Sequence, residues 1–435
     1  MNPFGHVLTV TLFAVAGTTA FGTPVTLTLH DAIDRALTQN LSLRRTQTSL
    51  AAAQRQEDHA WAILLPKVSA STGLSRANYG QTVLGVTAEP STYLSASASV
   101  SVTLSSAILT KFETLELSLR SQQLVTDSAR RSIEKSIHLL WASLLLEQAN
   151  IHLAEDNLAR QSQNLEDIRA QFKVGLAPDV DLLGAEVSTE SLRPKISALQ
   201  TNFENDVGRL NILLGFPLDQ KLVLSGNLDE RWEDLVTTPN ELTTASSSVR
   251  QAELQLESAR ESLRSQQRLA YWPTATLSWT TTPTVPLKSG GAWSDSQGLL
   301  SLGLSFSVDG ALPWGTQAES LVEASETVTT DESQLVEAQM DSALKKQSAQ
   351  RLILQSIQSI HADLLNRELA QKNYDRTQEA YRHGTKDFLS LQNAASDLSQ
   401  AQFTVLSERV SLLTAVRDLE DESGLPFGTL LGGVE

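Results

Sequence analysis

Cysteine is absent from the 435 residues, methionine occurs twice, aromatics make up 5% and charged residues only 19%. Without cysteine there is no disulfide framework, no thiolate-ligated zinc, no iron–sulfur cluster, no cysteine nucleophile and no lipidated N-terminal cysteine to serve as an anchor. Basic residues are also scarce: 34 Lys and Arg against 50 Asp and Glu leave a net charge of −16. That argues against a nucleic-acid partner, whose affinity comes mainly from Lys and Arg meeting phosphates. Long apolar runs are missing too. After residue 22 no stretch reaches the 18 or so apolar residues of a membrane-spanning helix.

Catalytic and ligating signatures are equally thin. The histidines (His6, His30, His59, His138, His152, His361, His383) form neither HExxH nor a close pair. No P-loop, GxSxG or Gly-rich phosphate loop occurs, so the sequence offers no catalytic, cofactor or metal site and no sign of an enzyme.

What is present is a duplication. Gly175 and Gly384 stand 209 residues apart, as do Gly215-Phe216-Pro217 and Gly424-Leu425-Pro426, Ala185 and Ala394, and His152 and His361. Pro66 and Pro273 follow at 207. Landmarks this widely spread at one offset indicate two tandem copies. The expected division is a signal peptide over 1–22, a first repeat over 23–217, a mixed linker over 218–240, a second repeat over 241–426 and a tail over 427–435. The uncharged run Val7–Gly17, followed by small residues, reads as the core of an export signal, although no Lys or Arg precedes it.

Each copy carries the same order: an amphipathic helix (about 29–62 and 241–270), two strands, a very long helix, a short Gly-centred turn and a second helix. Ile137, Leu144, Ile151, Leu158, Leu165 and Phe172 recur at a spacing of seven; Leu140, Ala154 and Ile168 form a second seam, interrupted by Glu147 and Gln161. This is a coiled-coil pattern, and the second copy keeps the phase at Ile353, Ile360, Tyr374 and Tyr381. A helix from 106 to 172 would be about 100 Å long. Short turns after both long helices, at Gly175 and Gly384, make each pair an antiparallel hairpin.

The strands alternate. Leu94, Ala96, Ala98, Val100, Val102 and Leu104 face away from Ser95, Ser97, Ser99, Ser101 and Thr103; Ala275, Leu277 and Trp279 and then Leu300 to Val308 behave alike, and Val68–Leu74 is a weaker fourth. Segments of about ten residues, apolar on one face and hydroxylated on the other, suit a membrane barrel with lipid outside and water inside. An amphipathic sheet of a soluble protein gives the same alternation, but its polar face usually carries Lys and Glu. Four strands cannot close a barrel, and open edges are forbidden in lipid, so spanning strands require oligomerisation.

In this order and duplication the chain resembles the TolC-like outer membrane efflux proteins. The resemblance rests on the opening Leu27-Thr28-Leu29-His30-Asp31-Ala32 through Leu37 and Asn40, the Leu65-Pro66 step, and the hairpin-tip residues Gly175, Val180, Asp181, Leu182, Ala185 and Gly384, Leu389, Leu391, Ala394. It implies a mainly α fold with β: long coiled-coil hairpins plus four strands per protomer in a homotrimeric twelve-stranded barrel, set in outer-membrane lipid with a periplasmic extension. It implies a passive duct for drugs, metals or polypeptides, served by a periplasmic adaptor and an inner-membrane transporter. A tip gate is implied as well, with Asp181, Tyr381 and Lys386 as latch and Ser390 and Asn393 at the aperture. Those last two positions are acidic in well-known members, so a strong cation-binding ring is not expected unless Asp387 or Asp397 supplies the charge. The alternative is a periplasmic coiled-coil scaffold or adaptor without channel activity.

Overall fold

The computed structural model describes residues 24–76, 82–83, 86–87, 92–226, 228, 245–287, 292–294, 297–307, 309, 312 and 314–431. The expected export signal, much of the expected linker and the last residues of the tail lie outside these.

In chain order the elements are β1 (Val25–Leu27), α1 (Leu29–Gln39), α2 (Leu41–Asp58), β2 (Lys67–Arg76), β3 (Thr82–Val83), β4 (Val86–Thr87), β5 (Thr92–Ser105), α3 (Ala107–Lys173), α4 (Asp179–Leu214) and β6 (Leu222–Leu224). There follow α5 (Ser247–Tyr271), β7 (Thr274–Thr281), β8 (Thr284–Pro286), β9 (Leu299–Ser305), α6 (Thr316–Arg382) and α7 (Phe388–Glu422). The two long helices α3 and α6 have 67 residues each, and their partners α4 and α7 have 36 and 35. At 1.5 Å per residue the long helices run about 100 Å. All four hairpin helices end alike: Gly175, Gly215, Gly384 and Gly424 take positive φ, and the next residue's N–H bonds back to the carbonyl of Gln171, Asn211, Ala380 or Glu420. This closes the free carbonyls of the last turn and needs glycine for its left-handed backbone.

The amphipathic helix expected over 29–62 is two helices. Asn40 breaks it: its Oδ1 accepts from the N–H groups of Ser42 and Leu43, and its Nδ2 donates to the Leu213 carbonyl. Capping a new helix while holding the end of α4 outweighs the continuous helical pattern. After α2 a short 3₁₀ turn, Ala60–Leu64, leads into the sheet. The last strand stops at Ser305, short of the expected 308.

The barrel-type sheet runs β2-β5-β7-β9, every neighbour antiparallel, with β8 beside the start of β5. A separate parallel pair, β1 with β6, ties the chain's entry to the linker. That pair caps a core where α1, α3 and α4 meet through Ile33, Ile137, Trp141, Leu144, Leu210 and Leu214. The second hairpin has its own core around Ile353, Ile360, Leu412, Val416 and Leu419, reached by Leu430 and Leu431. Heptad residues Ile137, Leu144, Leu165, Ile353, Ile360 and Tyr374 are all buried, as a coiled-coil seam requires.

Candidate functional site

The register sorts the sheet into two chemistries. Val68, Val100, Trp279 and Leu300 line up across the four strands, as do Ala275, Leu104 and Leu304, and Leu277, Val102 and Leu302. This face is apolar. Between them lie Ser69, Ser71, Ser97, Ser99, Ser101, Thr276, Ser278 and Ser301, whose hydroxyls pair across strands at 2.7 Å (Ser69–Ser99), 2.6 Å (Ser71–Ser97) and 2.8 Å (Ser278–Ser301). Most of these apolar side chains are exposed, Leu302 at 73%, while Val100, Val102 and Ala275 are half-buried. Among the described residues nothing pairs with the outer edge of β2 or of β9. A bare-edged sheet with an exposed apolar face is unstable in water and forbidden in lipid until its edges find partners.

At the far end of the hairpins the tip residues fall into two groups. Tyr381 packs between the clusters Leu165, Ile168, Ala185, Phe388 and Tyr374, Leu391, Ala394, Leu398. Burial raises its hydroxyl pKa, and the charges of Asp181 and Asp167 raise it further. Asp387 caps α7, accepting from the Ser390 N–H at 2.9 Å; hydrogen bonds from Ser390 hold its carboxyl below the usual value. Lys386 and Asn393 are exposed and Ser390 half-buried. The tip turns at Gly175 and Gly384 leave open space around each glycine. Asp181 thus lies in electrostatic reach of Tyr381, but among the described residues no ion pair joins Asp181 to Lys386 within one chain.

Phe388 was not singled out in the sequence. The signal was the repeat itself, because the position 209 earlier is Asp179, so an aromatic stands where the first copy has an acid.

The middle of the helical part is held by a clasp that periodicity does not show. Arg131 donates to the carbonyls of Glu420 and Leu425, and Lys135 meets Asp418 and Asp421, both at 2.9 Å. Burial alone would lower the Lys135 pKa, but the bonds to those two aspartates carry it up. Beneath them Arg417 pairs with Glu420 at 2.9 Å, and Glu420 accepts the Leu430 N–H. His138 packs against Phe427 with the ring planes tilted by 51°, and burial together with Arg417 drops its pKa to about 3, so it stays neutral.

One seam break titrates. Glu147 on α3 faces Asp206 and Arg209 on α4; burial and the Asp206 carboxylate push it up to about 7, from an ordinary 4.5. A carboxyl raised on folding contributes stability that is complete below pH 4.5 and lost as pH climbs through 7. Thermal unfolding between pH 5 and 8 should therefore show the helices loosening at the alkaline end, and Glu147→Gln should flatten that part of the profile.

The sequence profile described as outer membrane efflux protein matches residues 32–216. A probable efflux pump outer membrane protein, SepC of Pseudomonas putida, is 22% identical over 399 residues, 89% of this chain and 81% of that one. The toluene efflux pump outer membrane protein TtgC of the same species is 25% identical over 409 residues at the same coverage. Among solved structures, the outer membrane protein VceC of Vibrio cholerae superposes with a TM-score of 0.74 at 15% identity, covering 92% of this chain and 96% of its own. The Campylobacter jejuni CmeC outer membrane channel gives 0.75 at 15%, with 94% and 86% covered. Both share the fold. Among the described residues no helix is long and apolar enough to cross a membrane. Over residues 32–216 the chain matches the outer membrane efflux protein family, and along nearly its whole length it shares the fold of outer membrane channels.

Proposed function

We propose that three copies of the chain form a passive export duct, with twelve strands closing one barrel and six helical hairpins forming the tunnel below it. The observation that carries this is the two-faced sheet with two bare edges. Because β2, β5, β7 and β9 alternate in direction, β9 of one copy meets β2 of the next antiparallel, and three such junctions close a ring of serine and threonine hydroxyls around water. The apolar faces of the long helices left exposed on one chain, among them Val336, Met340, Leu344 and Leu354, then meet neighbouring copies.

In this reading the duct is shut at its periplasmic tips until a periplasmic adaptor and an inner-membrane transporter engage it. Asp181, Tyr381 and Lys386 form the latch, with the Asp181–Lys386 pair made between neighbouring chains. Asp387, Ser390 and Asn393 line the aperture. An exposed pair of this kind is worth at most about 1 kcal/mol, which three copies multiply and an adaptor can overcome. Planar-bilayer recording tests it: Asp181→Ala and Lys386→Ala should each raise the conductance of the purified channel. Unchanged conductance in both removes these residues from the gate.

A further inference from the structure

The two hairpins of one chain meet in three different ways. At mid-height the contact is dry, with Ala142 of α3 buried among Ile353, Leu412 and Val416. Nearer the tips lies a cavity of about 390 Å³, lined by Asn157 and Gln161 of α3, Ser188 of α4 and Gln392, Ser396 and Ser399 of α7. Asn157 Oδ1 and Ser399 Oγ are buried without a protein partner, so the slot is polar and roomy enough for water. At the tip the contact turns apolar again and rests on Phe388. Its side chain, 4% exposed, leaves its own hairpin to sit among Leu165, Ile168 and Ala185 of the first. Its ring lies 3.9 Å from where a Gly184 Cβ would stand and edge-on to Tyr381, with centroids 6.3 Å apart. Ion pairing does not share this task. Among the described residues, Arg169–Glu186 ties α3 to α4 within the first hairpin, and no ion pair at the tip crosses to the second.

We propose that Phe388 is the pin that seats the second hairpin's tip against the first, and that opening requires it to leave the pocket floored by Gly184. The opening step rests on the tip-gate reading given above. A slot lined by amides and hydroxyls beside Leu153, Leu192 and Phe403 yields more readily to sliding than a dry contact, because water replaces each polar bond it loses. A buried aromatic anchor has one seat, and leaving it exposes its ring and its pocket together. Hairpin motion is therefore loose in the slot and decided at the pin.

The cysteine-free chain allows a direct test. Nitroxides at Leu176→Cys and Thr385→Cys, both in exposed turns, report the distance between the two tips, and diluting labelled with unlabelled chains isolates the distance within one chain. In the full-length detergent-solubilised protein, Phe388→Ala should broaden the distribution toward longer distances, and Phe388→Leu should restore most of it. Gly184→Leu should broaden it by crowding the seat while leaving Phe388 in place. Conductance of the Phe388→Ala channel should rise. An unchanged distribution in both Phe388→Ala and Gly184→Leu overturns the pin. A broadened distribution at unchanged conductance upholds the pin and removes the gate from the tips.

Discussion

Glu420→Ala should lower the stability of the helical part by about 3–5 kcal/mol, the scale for removing one partner of a buried ion pair. Arg417 and Glu420 are 3% and 0% exposed, so neither charge can turn to water. Arg417 Nε already lacks a partner, which leaves the Glu420 carboxylate as the main compensation for the guanidinium. The same carboxylate accepts the Leu430 N–H at 2.9 Å and so holds the turn Thr429–Leu431 that covers the second hairpin's core. Truncation therefore strands a buried cation and releases an apolar lid in one step. The midpoint of helix loss on heating or in urea, followed in detergent, should fall sharply. Replacing both partners with apolar residues of similar volume, as in Arg417→Met with Glu420→Leu, should recover most of the loss, since a stranded charge costs more than a missing pair. If Glu420→Ala melts like the parent, the clasp is not a buried electrostatic element.

Leu302→Arg should cost about 2–4 kcal/mol and block assembly, whereas Ser301→Arg one residue away should assemble and alter ion selectivity. Leu302 lies opposite Leu277 near the middle of β9, on the face assigned to lipid, where an Arg close to the bilayer midplane carries that penalty. Ser301 faces the other way and bonds Ser278 within the hydroxyl ring. Successive strand residues point to opposite faces, so the contrast between neighbours reports the medium on each side. Among the described strands the apolar face carries one charge, Arg76 at the end of β2, and the hydroxyl face carries Lys67 at the other end, so a single added cation in the lumen should be visible in reversal potentials. The fraction of each variant recovered as assembled protein from outer membranes measures the first effect. Equal recovery of both variants would place the sheet in water on both faces.

The parts legible in the sequence are those governed by local period. The seven-residue beat through Ile137, Leu144 and Leu165 marks buried seam positions because a helix returns them to one side. The alternation through Leu94–Leu104 sets both faces of β5 because a strand cannot do otherwise. The tip turns were legible because Gly175 and Gly384 hold a backbone conformation few other residues tolerate. Asn40 gives no sign of a break, since the helical pattern runs straight through it; only its bond to Leu213, 173 residues away, reveals the job. The clasp was invisible for the same reason, because Arg131 and Lys135 find their carboxylates and carbonyls nearly 290 residues along the chain. Phe388 sits at an unremarkable helix start, and its burial depends on how the two hairpins lie together.

A four-stranded sheet with two bare edges closes only in company. Extraction of outer membranes in detergent, followed by native mass determination of the purified particle, tests it most directly. The expected result is one species containing three chains and bound detergent, which conducts ions when added to a planar bilayer. A single chain that stays in solution without detergent would contradict it.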